Sequence, residues 1–354
     1  MSIPLKKYLN YYLVPVAVLL FYEVAAQDIH FSQFYSSPLI LNPAYTGIMN
    51  GDFRVTGHYK NQWKSIMQKG AFKTGAISFD VPVLEKGLSD ALYRGGMGIG
   101  MYLYHDKAGD LGFGTTQANF CLAANKNLDF YNNISVGLQG GITFRTIDYS
   151  NIETENQVDK ITGSFNNQPV SSDEKLASLE PYSYGDFATG ILWTLTPEKG
   201  MRANLGLGVQ HLSKPRQSFY QKEDISYMRF VANGGAEIAP RNIHMSFIPN
   251  FIILQQGAQR EINVGTMIKY ILQESSKYTG WVDETAIALG GWYRFGDAVI
   301  INGRLNYKNI TFGLSYDINV SDLTAASSYK GGLEVSLTYI DHKGKRMKKA
   351  RPLL

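Results

Sequence analysis

Six histidines, His30, His58, His105, His211, His244 and His342, are the residues of this chain best suited to acid–base or metal chemistry. None forms the i, i+4 pair that holds zinc on a helix. His211 and Ser213 stand two apart in a strand-like run, so they can share a face. A hydrolase acting at a membrane needs such a nucleophile and base, with a third group to orient the base. His-x-Ser is a pattern that chance supplies easily, and no G-x-S-x-G elbow accompanies it. Gly95-Gly96-Met97-Gly98 matches part of a phosphate loop but opens an alternating strand instead of a helix. Glycine in that setting lets strands bend or aromatic rings pack. The carboxylates of residues 147–183 lack the ordered spacing of a calcium loop. Cys121 is the single cysteine, so no intrachain disulfide forms, and its place in the strand-like run Asn119 to Ala123 points to a structural role. The residues therefore predict no catalytic, metal or cofactor site and no small-molecule substrate.

The elements around these residues say more. Charged residues make up 18% of the 354, below the quarter usual in soluble domains. Aromatics reach 13% and glycines number 35, a composition suited to β-structure with one apolar and one polar face. Mean hydropathy is −0.17, which excludes a bundle of membrane helices. A formal charge of +4, without an aromatic-plus-basic RNA signature, gives no basis for nucleic acid binding.

Residues 1–26 have the three parts of a secretory signal peptide. Lys6 and Lys7 supply the positive start, Tyr11 to Tyr22 the apolar stretch, and Val24-Ala25-Ala26 the small residues at a cleavage site. Gln27 is then the expected first residue after cleavage. Beyond residue 26 no apolar run approaches the ~20 residues of a membrane-spanning helix. A membrane location would require a closed barrel, because in lipid only helices and barrels satisfy every backbone group.

Residues 27–50 form a polar-aromatic leader, and residues 51–340 read as an antiparallel barrel of fourteen strands. The strands are expected near 52–60, 71–80, 96–105, 111–123, 132–146, 184–196, 202–212, 228–238, 242–254, 260–272, 284–294, 297–306, 308–317 and 331–340. Ile310, Phe312, Leu314 and Tyr316 alternate with Thr311, Gly313, Ser315 and Asp317, a period of two with one apolar face. With both termini in the periplasm, the longest connection, 147–183, faces outward and carries seven acidic residues against Lys160 and Lys175. Residues 81–95 hold Leu84, Leu88, Leu92 and Tyr93 at the spacing of a short amphipathic helix. Residues 341–354 make a basic periplasmic tail in which Lys345, Arg346, Lys348 and Lys349 are candidate docking residues for an acidic partner.

Two blocks near the start are more specific: Gln27-Asp28-Ile29-His30-Phe31-Ser32-Gln33-Phe34-Tyr35, then Leu41-Asn42-Pro43-Ala44-Tyr45-Thr46-Gly47. They closely resemble the opening of the PorP/SprF family of type IX secretion system membrane proteins. His58-Tyr59-Lys60-Asn61-Gln62-Trp63 resembles that family's His-Arg-x-Gln-Trp segment, from which Tyr59 and Lys60 depart. Asp106-Lys107-Ala108-Gly109 resembles its Asp-Lys-x-Gly turn, and Gly331 to Tyr339 its closing strand.

This resemblance implies an outer-membrane barrel of Bacteroidota-type bacteria that serves type IX secretion and gliding motility without enzymatic activity. It implies partners among the periplasmic ring proteins of the secretion machine, or a large secreted adhesin, with outer-membrane lipid around the barrel. A passive channel or small-molecule transporter is the alternative. The family-like residues Phe31, Ser32, Gln33, Phe34, Asn42, Pro43, Ala44, Gln62 and Trp63 become candidate plug or partner contacts. Eight strands already give a filled interior, so fourteen leave space. The leader's Phe31, Phe34, Tyr35 and Leu39 are expected to pack into that lumen or across its periplasmic mouth.

Overall fold

The computed structural model describes residues 28–62, 70–83, 95–109, 112–147, 181–197, 200–217, 225–240, 243–273, 284–321, 324 and 329–341. The expected signal peptide, the helix of 81–95 apart from its ends, most of the 147–183 connection, Trp63, His342 and the basic tail with Lys345, Arg346, Lys348 and Lys349 lie outside the described residues.

Fourteen strands close into an antiparallel barrel, in agreement with the sequence expectation. They are β1 (Phe53–Gln62), β2 (Phe72–Pro82), β3 (Gly95–Ala108), β4 (Phe113–Asn127), β5 (Asn132–Thr146), β6 (Tyr182–Leu195) and β7 (Met201–Gln210), followed by β8 (Arg229–Ile238), β9 (Met245–Gln256), β10 (Gln259–Gln273), β11 (Thr285–Arg294), β12 (Ala298–Tyr307), β13 (Ile310–Asn319) and β14 (Lys330–Asp341). Each strand pairs with its sequence neighbours, and β1 pairs with β14 in the register Phe53↔Asp341 to close the ring. Closure leaves no sheet edge, which is the condition for a sheet to stand in lipid. Among the described residues no helix is long and apolar enough to cross a membrane.

The alternation decides which way each side chain points. In β5, Val136, Leu138, Ile142 and Phe144 are exposed on the outer face, while Ser135, Gln139 and Thr143 are buried inside. In β13, Ile310, Phe312, Leu314 and Tyr316 are outside, while Ser315 and Asp317 are inside. The outer face thus forms an apolar belt and the inner face a polar wall.

The two mouths differ. The proximal mouth is where β1 begins and β14 ends. At the distal mouth β1 joins β2, and β5 joins β6 through residues 147–181. Tight turns occur at both. Lys308-Asn309 joins β12 to β13 at the proximal mouth, and Gly257-Ala258 joins β9 to β10 at the distal one. Gly257 has φ +55°, the left-handed conformation that such a short hairpin turn requires.

Candidate functional site

The inner wall of β8 to β12 breaks the polar rule with Val231, Ile252, Leu254, Met267, Trp292 and Ile300, all buried. The leader explains them, because Phe34 packs into this cluster with Tyr35 and Leu41 at its edge. Tyr35 stacks on Trp292 with ring centroids 5.2 Å apart. Across the lumen, Leu39 packs against Tyr102, Tyr104 and Cys121 of β3 and β4. Burying Phe34 and Leu39 contributes ~1.5–3 kcal/mol each. Contacts on opposite walls are possible only from within, so residues 28–47 lie inside the ring.

Local structure is dictated by proline and asparagine. A 3-10 turn spans Phe34–Ser36, one α-helical turn spans Pro38–Leu41, and a second 3-10 turn spans Pro43–Tyr45. Pro38 and Pro43 sit at first helical positions, where a missing N–H costs nothing. Asn42 caps the second 3-10 turn by accepting from the Ala44 amide at 2.9 Å.

The course of the leader can be followed mouth to mouth. Asp28 meets His211 just beyond β7 and Gln256 at the end of β9, both at the distal mouth. The Gly47 amide donates to Asp80 Oδ2 at 2.8 Å, near the proximal end of β2. Residue 28 is therefore distal, whereas Asp341 is proximal. These two described residues lie at opposite mouths because the chain crosses the lumen before β1 begins.

Three wall carboxylates grip the leader. Glu334 accepts from the amides of Ser32 and Gln33 at 2.7 and 2.9 Å. Asp317 accepts from Ser32 Oγ at 2.7 Å and from Arg294 at 2.9 Å. Asp80 holds the Gly47 amide and a bidentate Arg54 at 2.9 and 2.7 Å. The Gln33 amide group donates to Ser315 Oγ and the Glu334 carbonyl and accepts from Ser336 Oγ. Asn42 donates to the carbonyls of Ile191 and Leu207, and Ser135 donates to that of Ala44.

Glycines admit the proximal half of the leader. A Cβ at Gly137 would run into the backbone of Pro43 and Ala44, at Gly190 into the Asn42 amide, and at Gly98 into the Thr46 carbonyl. Gly98 thus makes room for the leader's backbone, where a bend or the packing of aromatic rings is expected of the Gly95–Gly98 run.

His211 and Ser213 do not share a strand face, because β7 stops at Gln210 and His211 turns the chain at φ +59°. Ser213 Oγ donates to Asp186 Oδ1 at 2.9 Å and to the Gly185 carbonyl at 3.2 Å, not to the imidazole. The ring lies between two carboxylates, with Nε2 2.5 Å from Asp28 and Nδ1 2.6 Å from Asp186. Burial works against charge on the ring, but the bonds and charges of Asp186 and Asp28 outweigh it and push its pKa up to about 9. Burial likewise opposes charge on Asp28, and His211 outweighs it, holding that carboxyl well below its usual range. This is an ion-paired clasp without the nucleophile–base bond that acyl transfer requires. Among the described residues no group of three or more potential ligands gathers to hold a metal.

Of the candidate contacts, Phe31, Ser32, Gln33, Phe34, Asn42, Pro43 and Ala44 are brought together inside the ring, each buried. Gln62 stands apart at the distal end of β1, paired with Gly332 and Phe72. Sequence reasoning missed Asp80, Arg54, Asp186, Arg294, Asp317 and Glu334. Each reads alone as one more inward polar position.

The architecture defines a class, the outer-membrane β-barrel, here with its lumen occupied by its own N-terminal segment. The chain belongs to the family described as type IX secretion system membrane protein PorP/SprF, whose family model matches residues 23–339. No curated protein matches it in sequence. Solved structures that it resembles include the CymD monoaromatic hydrocarbon channel, at 9% identity and TM-score 0.44, covering 87% of this chain and 93% of that one. A Pseudomonas aeruginosa FadL homologue has 8% identity and TM-score 0.44, covering 87% and 94%. The P. putida toluene transporter TodX has 9% identity and TM-score 0.41, covering 87% and 94%.

Proposed function

We propose that this protein is a non-enzymatic docking component of type IX secretion that engages the periplasmic ring, a large secreted adhesin, or both, in support of protein export, surface anchoring and gliding motility. The observation that carries this reading against an open channel is the leader, gripped on opposite walls of the lumen by Glu334, Asp80 and the Phe34 and Leu39 clusters. A barrel that fills its own bore is suited to binding at its mouths. In this reading the signal peptide is cleaved, the distal mouth faces the exterior, and the proximal mouth faces the periplasm. The basic tail around Lys345, Arg346, Lys348 and Lys349 then lies near the ring and meets an acidic surface there.

Mild-detergent purification of the tagged protein from its own outer membrane, with mass spectrometry of what accompanies it, tests the role. Ring proteins or one very large adhesin should co-purify. Recovery of the barrel alone, under conditions that keep a secretion complex intact, together with steady conductance in planar bilayers, would transfer the assignment to a passive channel.

A further inference from the structure

The two halves of the leader are held in different ways. Residues 38–47 press their backbone and Asn42 into positions where Gly98, Gly137 and Gly190 leave no room for a side chain. Phe31 to Phe34 are buried as well, and Gln33 is seated over Gly313, where a Cβ would overlap its Oε1. A cavity of about 30 Å³ lies between Ile29, Phe34 and Leu41 of the leader and Arg229, Val231 and Leu254 of the wall. A second, of about 20 Å³, adjoins it beside Asp28, Gln256 and Glu261.

Wall side chains grip residues 28–34 through five main-chain groups, in addition to the Phe34 ring in its apolar cluster. Gln256 accepts from the Asp28 amide at 3.4 Å. Arg229 donates to the Ile29 carbonyl at 3.3 Å, and Lys60 to the His30 carbonyl at 3.0 Å. The two oxygens of Glu334 take the consecutive amides of Ser32 and Gln33. Side-chain reading centres on one hydroxyl–amide pair: Ser32 on Asp317, and Gln33 among Ser315, Ser336 and the Glu334 carbonyl. Asp28 is the only Asp, Glu, Lys or Arg among residues 28–50, and it sits at the far end of the segment.

Removing a partner from a buried ion pair is strongly destabilising. This wall avoids that penalty at two of its ionic groups when the segment leaves. Asp317 keeps Arg294, and His211 keeps Asp186. From the main-chain grip and the charge pairs that Asp317 and His211 keep within the wall we infer that the distal half of the lumen is a binding site for an extended polypeptide segment bearing a hydroxyl–amide pair, filled in cis by residues 28–34. The proximal half is the fixed anchor, and Asp28–His211 is the clasp that a competing segment must open.

The test needs only the purified full-length barrel in nanodiscs and a fluorescent peptide with the sequence of residues 28–37. Saturable binding should be seen and should tighten about tenfold in D28N, where the cis segment has lost its charge-assisted bond. A peptide carrying Q33A, or one N-methylated at the Ser32 and Gln33 amides, should bind at least about tenfold more weakly, since each change removes bonds to Glu334 or its neighbours. Changing the peptide leaves the barrel intact, so misfolding cannot mimic that loss. Failure of the peptide to bind either wild type or D28N would overturn the inference, as would binding indifferent to Q33A and to N-methylation. Because no export machinery takes part, the result stands apart from the secretion role.

Discussion

Asn42 seats its amide on the barrel wall only because position 190 carries no side chain. A Cβ at Gly190 would overlap Asn42 Oδ1, and the same amide bonds the carbonyls of Ile191 and Leu207. G190A should therefore push the proximal half of the leader off the wall while the strands stay paired. Overpacking of this kind costs ~1–3 kcal/mol. Thermal unfolding should shift downward, and channel recordings should show new openings. A variant with wild-type melting and no openings would show that the leader does not depend on this seat.

The Asp28–His211–Asp186 clasp has a pH window. His211 rises from its usual 6.5 to about 9, so its contribution is fully present below 6.5 and is lost as the pH rises through about 9. A rise of that size corresponds to roughly 3 kcal/mol. Asp28 is depressed, so its contribution is present above 3.8 and is lost as the pH falls toward its lower folded value. Hydrogen-exchange protection factors at Ile29 to Phe34 should hold between pH 3.8 and 6.5 and fall progressively from 6.5 to about 9, while amides of β4 and β5 stay protected. In H211A the alkaline drop should vanish, because protection is already low at neutral pH.

Phe34 fills a cluster lined by Trp292, Ile300, Met267 and Leu254. F34A should leave a cavity there and cost ~3–5 kcal/mol, with F34L costing much less. Denaturant titration of the two variants checks the order. Equal midpoints would mean that the leader contributes little to the folded barrel.

Leu138 is 62% exposed near the middle of β5, on the face assigned to lipid. L138R should cost ~2–4 kcal/mol of folding free energy in bilayers, the penalty for arginine at mid-membrane depth. Its inward neighbour Gln139, which donates to Tyr102 Oη at 2.7 Å, should tolerate Q139N far better. If L138R folded into vesicles as well as wild type, the outer face of β5 would not be in contact with acyl chains.

The barrel was legible in the sequence because its rule is local. An apolar residue at every second position, as in Ile310, Phe312, Leu314 and Tyr316, is set by the pleat and survives any register. The leader's apolar residues were legible as well, because Phe31, Phe34, Tyr35 and Leu39 gather in one short segment before the first strand. Its anchors were not. Glu334, Asp317, Asp80 and Asp186 come from four strands, and no spacing in the chain links Ser32 to a carboxylate 302 residues away. Only the paired registers around the ring bring them to one place. His211 was noticed for a neighbour two residues off, yet its partners are Asp28 and Asp186, because a left-handed turn aims the ring inward.

The β1–β14 seam ties the ends of the barrel together, with Phe53 facing Asp341. The leader precedes β1, so it is made first and delivered first. Its hydrogen bonds nonetheless span up to 303 residues of chain, as from Ser336 to Gln33, and most of the partners belong to strands made long afterward. Such contacts repay their loop-closure entropy only late in assembly. The nascent barrel must therefore keep its first segment in waiting until the last hairpin arrives, and the ring then shuts around a strand of chain already lying in its bore. Correct closure and correct filling become one event, so a barrel with a misregistered final strand also lacks the groups that would hold its own beginning.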